Sequence, residues 1–196
     1  MPAPKKTKLL SLITTRKNLT PEHRQRLAFV EKLQSALGNQ LDIFGHGFTP
    51  IADKFDAIAP YRYHIVLENS VLPHYWSEKL ADCFLAGAHP FYVGCPNIAD
   101  YFPHASITPI PNNPEEAIAI LRAAITADLF THHAQARTHA KQLVLNVHNF
   151  FPATLSALAK LKRTQQQTLT LRPEHDFTDP FPKRLKRTIK RTLALS

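Results

Sequence analysis

The densest group of side chains that could do chemistry lies between residues 61 and 79, in the segment YRYHIVLENSVLPHYWSEK. The candidate site residues that follow its apolar run are Glu68, Asn69, Ser70, Tyr75, Glu78 and Lys79. A lysine beside a helix N-terminus suits a phosphate, because the cation, the helix dipole and the free N–H groups all attract an anion. A carboxylate such as Glu78 could accept hydrogen bonds from two ribose hydroxyls, and Tyr75 could pack against a base or sugar. The pattern indicates a nucleotide site; a surface Glu78–Lys79 pair beside a core tyrosine is the alternative interpretation.

The elements that must position these residues alternate between strand and helix patterns. Strands are predicted at residues 8–14, 41–44, 63–67, 89–93 and 106–108. Helices are predicted to begin at Pro21, at about His74 and at Pro114, and helical patterns continue over 127–165, where Pro152 is a break or a new start. This alternation predicts an α/β fold, a Rossmann-like, mostly parallel sheet with helices on both faces. Ligands bind at the carboxyl ends of the strands in such sheets, so we expect the site at residues 68–79.

The first helix pattern is bounded clearly. Thr20 is predicted as its N-cap, and Gly38-Asn39 is predicted to end it. The predicted apolar face consists of Leu27, Val30, Leu33 and Leu37.

The formal net charge of +9 comes entirely from the two ends of the chain. Residues 1–8 carry three lysines, residues 183–196 carry six lysines and arginines, and neither end holds an acidic residue. Residues 9–182 hold 15 basic and 15 acidic residues and are neutral. A domain that coats nucleic acid would spread its cations over a folded face, so this distribution argues against a nucleic-acid-binding domain.

The C-terminal end combines its charge with an apolar stripe. Leu185, Ile189 and Leu193 are four residues apart, so in a helix they form one apolar face. The cations around them are Lys183, Arg184, Lys186, Arg187, Lys190 and Arg191. A basic amphipathic helix is typical of membrane-surface segments, and anionic lipid attracts each nearby Lys or Arg by about 1 kcal/mol. We predict a membrane-surface tail over 183–196; a solvated tail and a nucleic-acid contact are the alternatives.

Composition excludes several other classes of protein. Cys83 and Cys95 are too few for a disulfide-stapled scaffold and form no CxxC pair for a zinc ribbon. The eleven histidines contain no HxxxH pair, so no metal and no cofactor are predicted. The hydrophobic fraction of 44% is enough for a core, but no apolar run reaches the roughly 18 residues of a membrane span. We expect one cytosolic domain with a tail.

The order of these residues also resembles a known family, the α1,3/α1,4-fucosyltransferases of glycosyltransferase family 10. The matching elements, in chain order, are Arg26 with Phe29 and Leu33, Asp42–Gly45, Glu68-Asn69-Ser70, Tyr75, Ser77, Glu78-Lys79, Ala86-Gly87, Pro90, Val93-Gly94, Phe102-Pro103 and Ser106-Ile107. The last pair departs from the family's Ser-Phe-Ile, since the middle phenylalanine is missing. The resemblance covers residues 9–125 in order, which makes it highly specific.

The resemblance implies a fold and a reaction. It implies a GT-B enzyme that transfers fucose from GDP-fucose with inversion, and it implies that this chain is equivalent to the C-terminal, donor-binding half of that fold. Fixed cations would stabilise the charge that grows on the leaving diphosphate as the glycosidic bond breaks. That role needs no metal, and the sequence contains no Asp-x-Asp.

The same resemblance implies donor-binding roles for particular residues. Arg26 and Lys79 would neutralise the diphosphate, Glu78 would hold the ribose, and Tyr75 would line the nucleotide site. Glu68 and Asn69 would lie near the fucose or shape the loop. Arg24 is the alternative to Arg26, because both lie at the start of the same helix, and Ser70 is a further candidate.

The acceptor side of the reaction has no counterpart in the sequence. In this family the acceptor site and the carboxylate that acts as general base lie in the N-terminal domain. Inverting transfer needs a base to take the acceptor proton, so we expect that base outside this chain. The chain is then a fragment, works with a partner that supplies the acceptor domain, or only binds nucleotide. A non-catalytic nucleotide-sugar-binding module and a membrane-surface interaction module are the alternative functions.

These predictions divide the chain into four parts. Residues 1–8 are a basic extension, 9–150 the GDP-fucose donor-binding domain, 151–182 a helix and polar linker, and 183–196 the basic amphipathic C-terminal helix. The expected partners are GDP-fucose, a glycan acceptor of the N-acetylglucosamine or galactoside type, and an anionic membrane surface, with no nucleic acid. We expect a bacterial, membrane-associated enzyme of protein glycosylation, cytoplasmic and peripheral at the inner face of the membrane.

Overall fold

A five-stranded sheet forms the centre of the computed structural model, which describes residues 4–161. The strands are β1 (Lys8–Ile13), β2 (Leu41–Phe44), β3 (Tyr61–Leu67), β4 (His89–Val93) and β5 (Thr108–Pro109). All pairs are parallel, in the order β2-β1-β3-β4-β5. Strand β2 therefore pairs with one edge of β1, and the chain then crosses over so that β3 pairs with the other edge of β1. In such sheets the crevice at this reversal is where ligands bind.

Helices follow the strands in the described part of the chain. They are α1 (Pro21–Leu37), α2 (Glu78–Leu85), α3 (Pro114–Thr126), α4 (Leu129–His132), α5 (Ala134–Leu143) and α6 (Phe150–Lys160). Shorter turns of 3-10 helix lie at Gly38–Gln40, Lys54–Ala57, Ile98–Asp100 and His104–Ser106, and a π turn at Val144–His148. Among residues 4–161, no helix has the length and apolar character that crossing a membrane requires.

Helix α1 has the predicted ends. The Thr20 hydroxyl accepts a hydrogen bond from the His23 backbone N–H, and Pro21 occupies the first turn, where its missing N–H costs nothing. Gly38 ends the helix with a φ of 52°, a left-handed conformation that favours glycine. The buried face is Phe29, Val30, Leu33 and Leu37. The prediction of Leu27 on that face was wrong, because Leu27 is only half-buried and Phe29 takes its place.

The core has two halves, one on each face of the sheet. On one face α1 and α3 pack against strand residues that include Leu12, Tyr63 and Phe91. On the other face α2 and α5 pack against residues that include Val66 and Tyr92. The predicted fold class, a parallel sheet with helices on both faces, is therefore confirmed.

Two predicted elements differ from the structure. The helix predicted from about His74 begins at Glu78, because His74 has a left-handed φ of 62° and Ser77 is an extended N-cap. The strand predicted at 106–108 is instead a 3-10 turn followed by the two-residue β5, since the Ser106 hydroxyl donates a 2.6 Å hydrogen bond back to Pro103 O.

The basic N-terminal extension contributes to the fold through Lys6. Its ammonium donates hydrogen bonds to Ala59 O at 2.8 Å and to Ala86 O at 2.7 Å, which ties the segment before β1 to the segment before β3 and to the C-terminal end of α2. Burial lowers the pKa of Lys6 to about 8, and the nearby Arg137 and Lys141 act in the same direction. At least this lysine is thus a structural group.

The compact unit that contains the sheet ends at Ala157, within α6. Pro152 lies in the first turn of α6, so it marks a new helix start. The rest of the predicted linker and the predicted tail at 183–196 lie outside the described residues.

Two buried histidines predict how stability depends on pH. Burial lowers the pKa of His64 and of His89 to about 3, so both stay neutral in the folded protein while the unfolded chain takes up protons below about pH 6.5. The free energy of unfolding should therefore fall as the pH is lowered from 7 to 4, which urea denaturation at several pH values will measure. In His64→Asn, whose amide can replace the 2.8 Å bond between Nδ1 and Ser11 Oγ, this fall should be smaller. The exposed His104→Asn should leave it unchanged, and equal pH dependence in all three proteins would contradict the assignment.

Candidate functional site

The carboxyl end of β3 opens into a cavity of about 410 Å³, which we call the α1 cavity. It lies between the start of α1, the end of β3 and the end of β4. Its polar lining residues are Thr20, Glu22, His23, Gln25, Arg26, Glu68, Asn69 and Asn112. The cavity has the location that the strand order predicts for a ligand.

A smaller cavity of about 80 Å³, the α2 cavity, reaches the same end of β3. Its floor is apolar and includes Ile13 and Ile58, and its charged lining residues are Lys54, Lys79 and Asp82. Leu67, the last residue of β3, lines both cavities. The two cavities therefore adjoin at the tip of a single strand.

Glu68 follows β3 directly and fixes the start of α2. Its carboxylate accepts hydrogen bonds from the Ser77 backbone N–H at 2.9 Å and from the Ser77 hydroxyl at 2.7 Å. The Lys79 ammonium lies 3.8 Å from the same carboxylate, whose side chain is fully buried. A negative charge at a helix N-terminus is stabilised by the helix dipole and by the free N–H groups. Glu68 thus occupies the position at the start of α2 where the sequence had suggested a phosphate.

The absence of a side chain at Gly94 makes room for Glu68. A β-carbon at Gly94 would lie 2.6 Å from Glu68 Cγ and even closer to the Tyr92 ring. The Tyr92 hydroxyl is held in turn by the Cys95 backbone N–H, which donates to it at 3.0 Å. Gly94 is therefore required by a close approach, not by its backbone angles.

Arg26 reaches the α1 cavity and Arg24 does not line it. The Nη1 group of Arg26 donates a hydrogen bond to Asn69 Oδ1 at 3.4 Å, whereas the Nη1 group of Arg24 donates to Asn18 O on the surface. Arg26 Nε and His23 Nδ1 are buried and find no hydrogen-bond partner among the residues that the structure describes. Buried polar groups are nearly always hydrogen-bonded, so these two nitrogens are exceptions, in two residues that line the cavity.

Glu78 and Lys79 open α2 and form part of a surface charge cluster. The Glu78 carboxylate lies 3.5 Å from Lys79 Nζ and 3.7 Å from Lys54 Nζ, and Lys54 Nζ is also 3.8 Å from Asp82. Partial burial would raise the pKa of Glu78, but the two lysines and its backbone hydrogen bond outweigh burial and hold the pKa below its usual value. Glu78 is 59% exposed, so its carboxylate remains accessible to a ligand.

Tyr75 lies in the loop before α2. The predicted i, i+4 relation between Tyr75 and Lys79 on one helical face was wrong, because the helix begins only at Glu78. The Tyr75 backbone N–H donates to Leu72 O at 3.3 Å, and its side chain is 38% exposed. Ser70 is exposed at the start of the same loop.

The structure places four of the eight predicted donor-site residues around the end of β3, in two cavities: Arg26, Glu68 and Asn69 line the α1 cavity, and Lys79 lines the α2 cavity. The other four, Arg24, Ser70, Tyr75 and Glu78, line neither of these cavities. Arg26 contacts Asn69, Lys79 contacts Glu68, and these two contacts meet at adjacent residues after β3. Sequence reasoning missed His23 and Asn112, which also line the α1 cavity. His23 precedes Arg26 by three residues, so helical spacing from Arg26 was a signal that could have found it. Asn112 carried no such signal, since it is far away in sequence.

This arrangement can hold an anion with sugar-like hydroxyls around it. Arg26 offers a planar fork of donors and Lys79 a compact cation, on two sides of the β3 end, and both side chains favour phosphate oxygens. Asn69, Glu78 and Asn112 add acceptors and donors for hydroxyl groups. Within residues 4–161, no three His, Cys, Asp or Glu side chains come together as a metal-binding group.

A family profile described as glycosyltransferase family 10 (fucosyltransferase) C-term matches residues 3–150 of the chain. The resemblance that the sequence predicts over residues 9–125 is thereby confirmed and extends over three quarters of the chain.

Solved structures with a similar fold include an alpha1,3-fucosyltransferase with GDP-fucose, at a TM-score of 0.53 and 21% sequence identity, and an alpha1,3-fucosyltransferase with GDP, at a TM-score of 0.54 and 21% identity. Each match covers 65% of this chain and 38% of the other chain. The chain thus spans well under half the length of these structures, and its sheet corresponds to one half of their GT-B fold.

The packing of Gly94 gives a test of the site's construction. Gly94→Ala should destabilise the protein by about 1–3 kcal/mol, the usual effect of forcing a methyl group into a packed region, because the new β-carbon displaces Glu68 or Tyr92. Urea denaturation measures the loss. In the control Gly38→Ala the β-carbon meets nothing within 4 Å, so that variant reports only the strain of a left-handed φ. A Gly94→Ala protein as stable as the wild type would mean that Glu68 does not need this space.

Proposed function

Because the chain belongs to glycosyltransferase family 10, the fucosyltransferases, we propose that it binds GDP-fucose at the carboxyl edge of its sheet and holds the sugar for inverting transfer to a glycan. The observation that carries the proposal is the pair of contacts Arg26–Asn69 and Lys79–Glu68, which brings two cations to adjacent residues at the end of β3. The donor class is supported by the solved structures of similar fold that hold GDP-fucose and GDP.

In the proposed reaction an acceptor hydroxyl attacks the anomeric carbon of fucose and the bond from that carbon to the β-phosphate oxygen breaks. GDP leaves with the electron pair, and the acceptor proton passes to a general base. Arg26 from the α1 cavity and Lys79 from the α2 cavity stabilise the charge that grows on the diphosphate at the end of β3. Glu78 accepts from the ribose hydroxyls, and Tyr75 packs against the nucleoside.

The acceptor and the general base come, in this proposal, from a second domain that covers the carboxyl edge. The chain spans 38% of the similar fucosyltransferase structures. Large apolar side chains are exposed beside the α1 cavity, with Leu19 at 81%, Val71 at 59% and Leu72 at 54%. Exposed apolar side chains grouped beside a cavity are typical of an interaction surface, which supports a covering domain there.

The alternative, a module that binds the nucleotide sugar without transfer, differs in one measurable property. Both readings require GDP binding, but only the enzyme forms a fucosylated product. Incubation with GDP-fucose and an N-acetylglucosamine or β-galactoside acceptor, followed by mass spectrometry of the acceptor, separates them. A chain that binds GDP and yields no product, alone or with a candidate acceptor-domain partner, favours the binding module.

We also propose that residues 183–196 attach the enzyme to an anionic membrane surface, for which the support is the sequence pattern alone. Six cations interleaved with an apolar stripe suit such a surface. A tail of this kind would keep the donor domain near lipid-linked or membrane-bound glycans.

Calorimetry with GDP tests the donor site. Lys79→Met and Arg26→Met should each weaken GDP binding about tenfold, equivalent to about 1.4 kcal/mol, because each removes one cation from the diphosphate. The control Lys32→Met loses the same charge from α1, but Lys32 pairs with Glu115 on the surface and lines neither cavity. Equal GDP affinity in all three variants would contradict the diphosphate role, and no GDP binding by the wild type would overturn the function.

Co-sedimentation with vesicles tests the tail. The full chain should bind vesicles rich in anionic lipid at low salt and release at high salt, since salt screens the attraction. Deletion of residues 183–196 should abolish sedimentation, whereas neutral vesicles should bind neither protein. Equal sedimentation with and without the tail would contradict membrane attachment by this segment.

A further inference from the structure

The loop between β3 and α2, which carries Tyr75, is attached at its middle by a network that the donor-site assignment does not include. The network consists of His74 in this loop and of Asn97, Asp100 and Tyr101 in the segment after β4; we call it the His74 latch. The His74 backbone N–H donates to Asn97 Oδ1 at 2.8 Å. His74 Nδ1 lies 2.8 Å from the Tyr101 hydroxyl and 2.9 Å from Asn97 Nδ2.

The partners of Asn97 fix the direction of these hydrogen bonds. Asn97 Nδ2 donates to Asp100 Oδ2 at 2.7 Å, and Asn97 Oδ1 accepts from the His74 backbone N–H and from Cys95 Sγ at 3.1 Å. The second Nδ2 hydrogen therefore points at His74 Nδ1, and the Tyr101 hydroxyl lies within hydrogen-bond distance of the same nitrogen. His74 Nδ1 is thus the unprotonated acceptor, and the proton of the ring is on Nε2.

The backbone of His74 indicates that the latch holds the loop against strain. His74 has a left-handed φ of 62°, one of only two such non-glycine residues between residues 4 and 161. L-residues adopt this conformation rarely, and it persists where the surroundings over-determine it. The three contacts of His74 with Asn97 and Tyr101 hold His74 in this conformation.

Tyr75 lies between two attachments of the loop. On one side is His74, and on the other is Ser77, which the buried Glu68 carboxylate holds at the start of α2. Two residues separate these attachments, Tyr75 and Trp76. The Trp76 ring packs edge-on against Tyr101 and Phe102, with centroids 6.0 Å and 5.1 Å apart, so the loop also contacts the latch through its aromatic side.

We propose that His74, through Asn97 and Tyr101, is a positioning residue that sets the conformation of the Tyr75 loop before the nucleotide binds. As a statement about nucleotide affinity this rests on the function proposed above. A side chain that is already ordered loses less conformational entropy on binding, so the latch raises affinity without touching the ligand. It does so by joining the segments that follow β3 and β4, two neighbouring strands at the edge where the donor binds.

Three variants separate the latch from the backbone conformation. His74→Gly tolerates the left-handed φ but loses the ring acceptor. His74→Asn tolerates the same φ and retains an acceptor on its γ-carbon, so it should restore the wild-type behaviour. Tyr101→Phe removes one donor and keeps the ring that packs on Trp76.

Trp76 reports on the loop independently of any ligand, because it is the only tryptophan in the chain. In His74→Gly and Tyr101→Phe, its fluorescence should shift to the red and acrylamide should quench it more strongly, while thermal unfolding remains cooperative. GDP affinity should fall about fivefold in His74→Gly, the effect of leaving one more side chain to be ordered on binding, and His74→Asn should match the wild type in both measurements.

The outcomes are distinct. Unchanged Trp76 quenching in His74→Gly would overturn the latch. Stronger quenching with unchanged GDP affinity, in a protein whose affinity Lys79→Met still lowers, would overturn the positioning role. A failure of His74→Asn to restore quenching and affinity would overturn the assignment of Nδ1 as the acceptor. A wild-type chain that binds no GDP would overturn the function proposed above and with it the positioning role, while Trp76 quenching would still decide whether the latch holds the loop.

Discussion

The candidate site depends on one buried carboxylate, that of Glu68. It accepts hydrogen bonds from the backbone N–H and from the hydroxyl of Ser77, the N-cap of α2, and it lies 3.8 Å from the Lys79 ammonium. A buried charge is tolerated only when it is paired and hydrogen-bonded, and the start of a helix meets both needs through its N–H groups and its dipole. Because Glu68 follows β3 and Ser77 precedes α2, this single interaction joins the strand to the helix that carries Glu78 and Lys79. The start of α2 is therefore fixed to the end of β3.

The packing at the carboxyl edge of the sheet follows from the position of the Glu68 carboxylate. Gly94 must lack a side chain because Glu68 and Tyr92 fill the space in which a β-carbon would lie. Asn69, the next residue, is then directed toward Arg26 on α1. In this way two cations from helices on opposite faces of the sheet contact two consecutive residues of one strand end, Arg26 in the α1 cavity and Lys79 in the α2 cavity.

The sequence predicted the sheet well, because buried parallel strands appear as short apolar runs between turn residues; β2 and β4 have the predicted bounds. It predicted the N-terminus of α1 for the same local reason, the Thr20-Pro21 cap. It misjudged the start of α2, because the left-handed His74 is held by Asn97 and Tyr101, which are more than twenty residues away and cannot be read locally. Spacing also could not decide between Arg24 and Arg26, since both lie in the first turns of α1 and only packing determines which one faces the cavity. The family resemblance identified Glu68 but gave no indication that its carboxylate holds Ser77, the N-cap of α2.

The parallel arrangement has a consequence for the order in which the molecule assembles. In the part of the chain that the structure describes, no two strands are joined by a hairpin: Leu10 pairs with Leu41, and it pairs on its other side with Tyr63, across a still longer stretch of chain. Each of these pairings must close a long loop before it gains any contact energy, which slows the search for the native state. During synthesis β1 and β2 can meet first, but the ligand edge does not exist until β3 has left the ribosome and inserted beside β1. The carboxyl edge that carries Glu68 and Asn69 therefore forms only after the long-range pairing of β3 with β1.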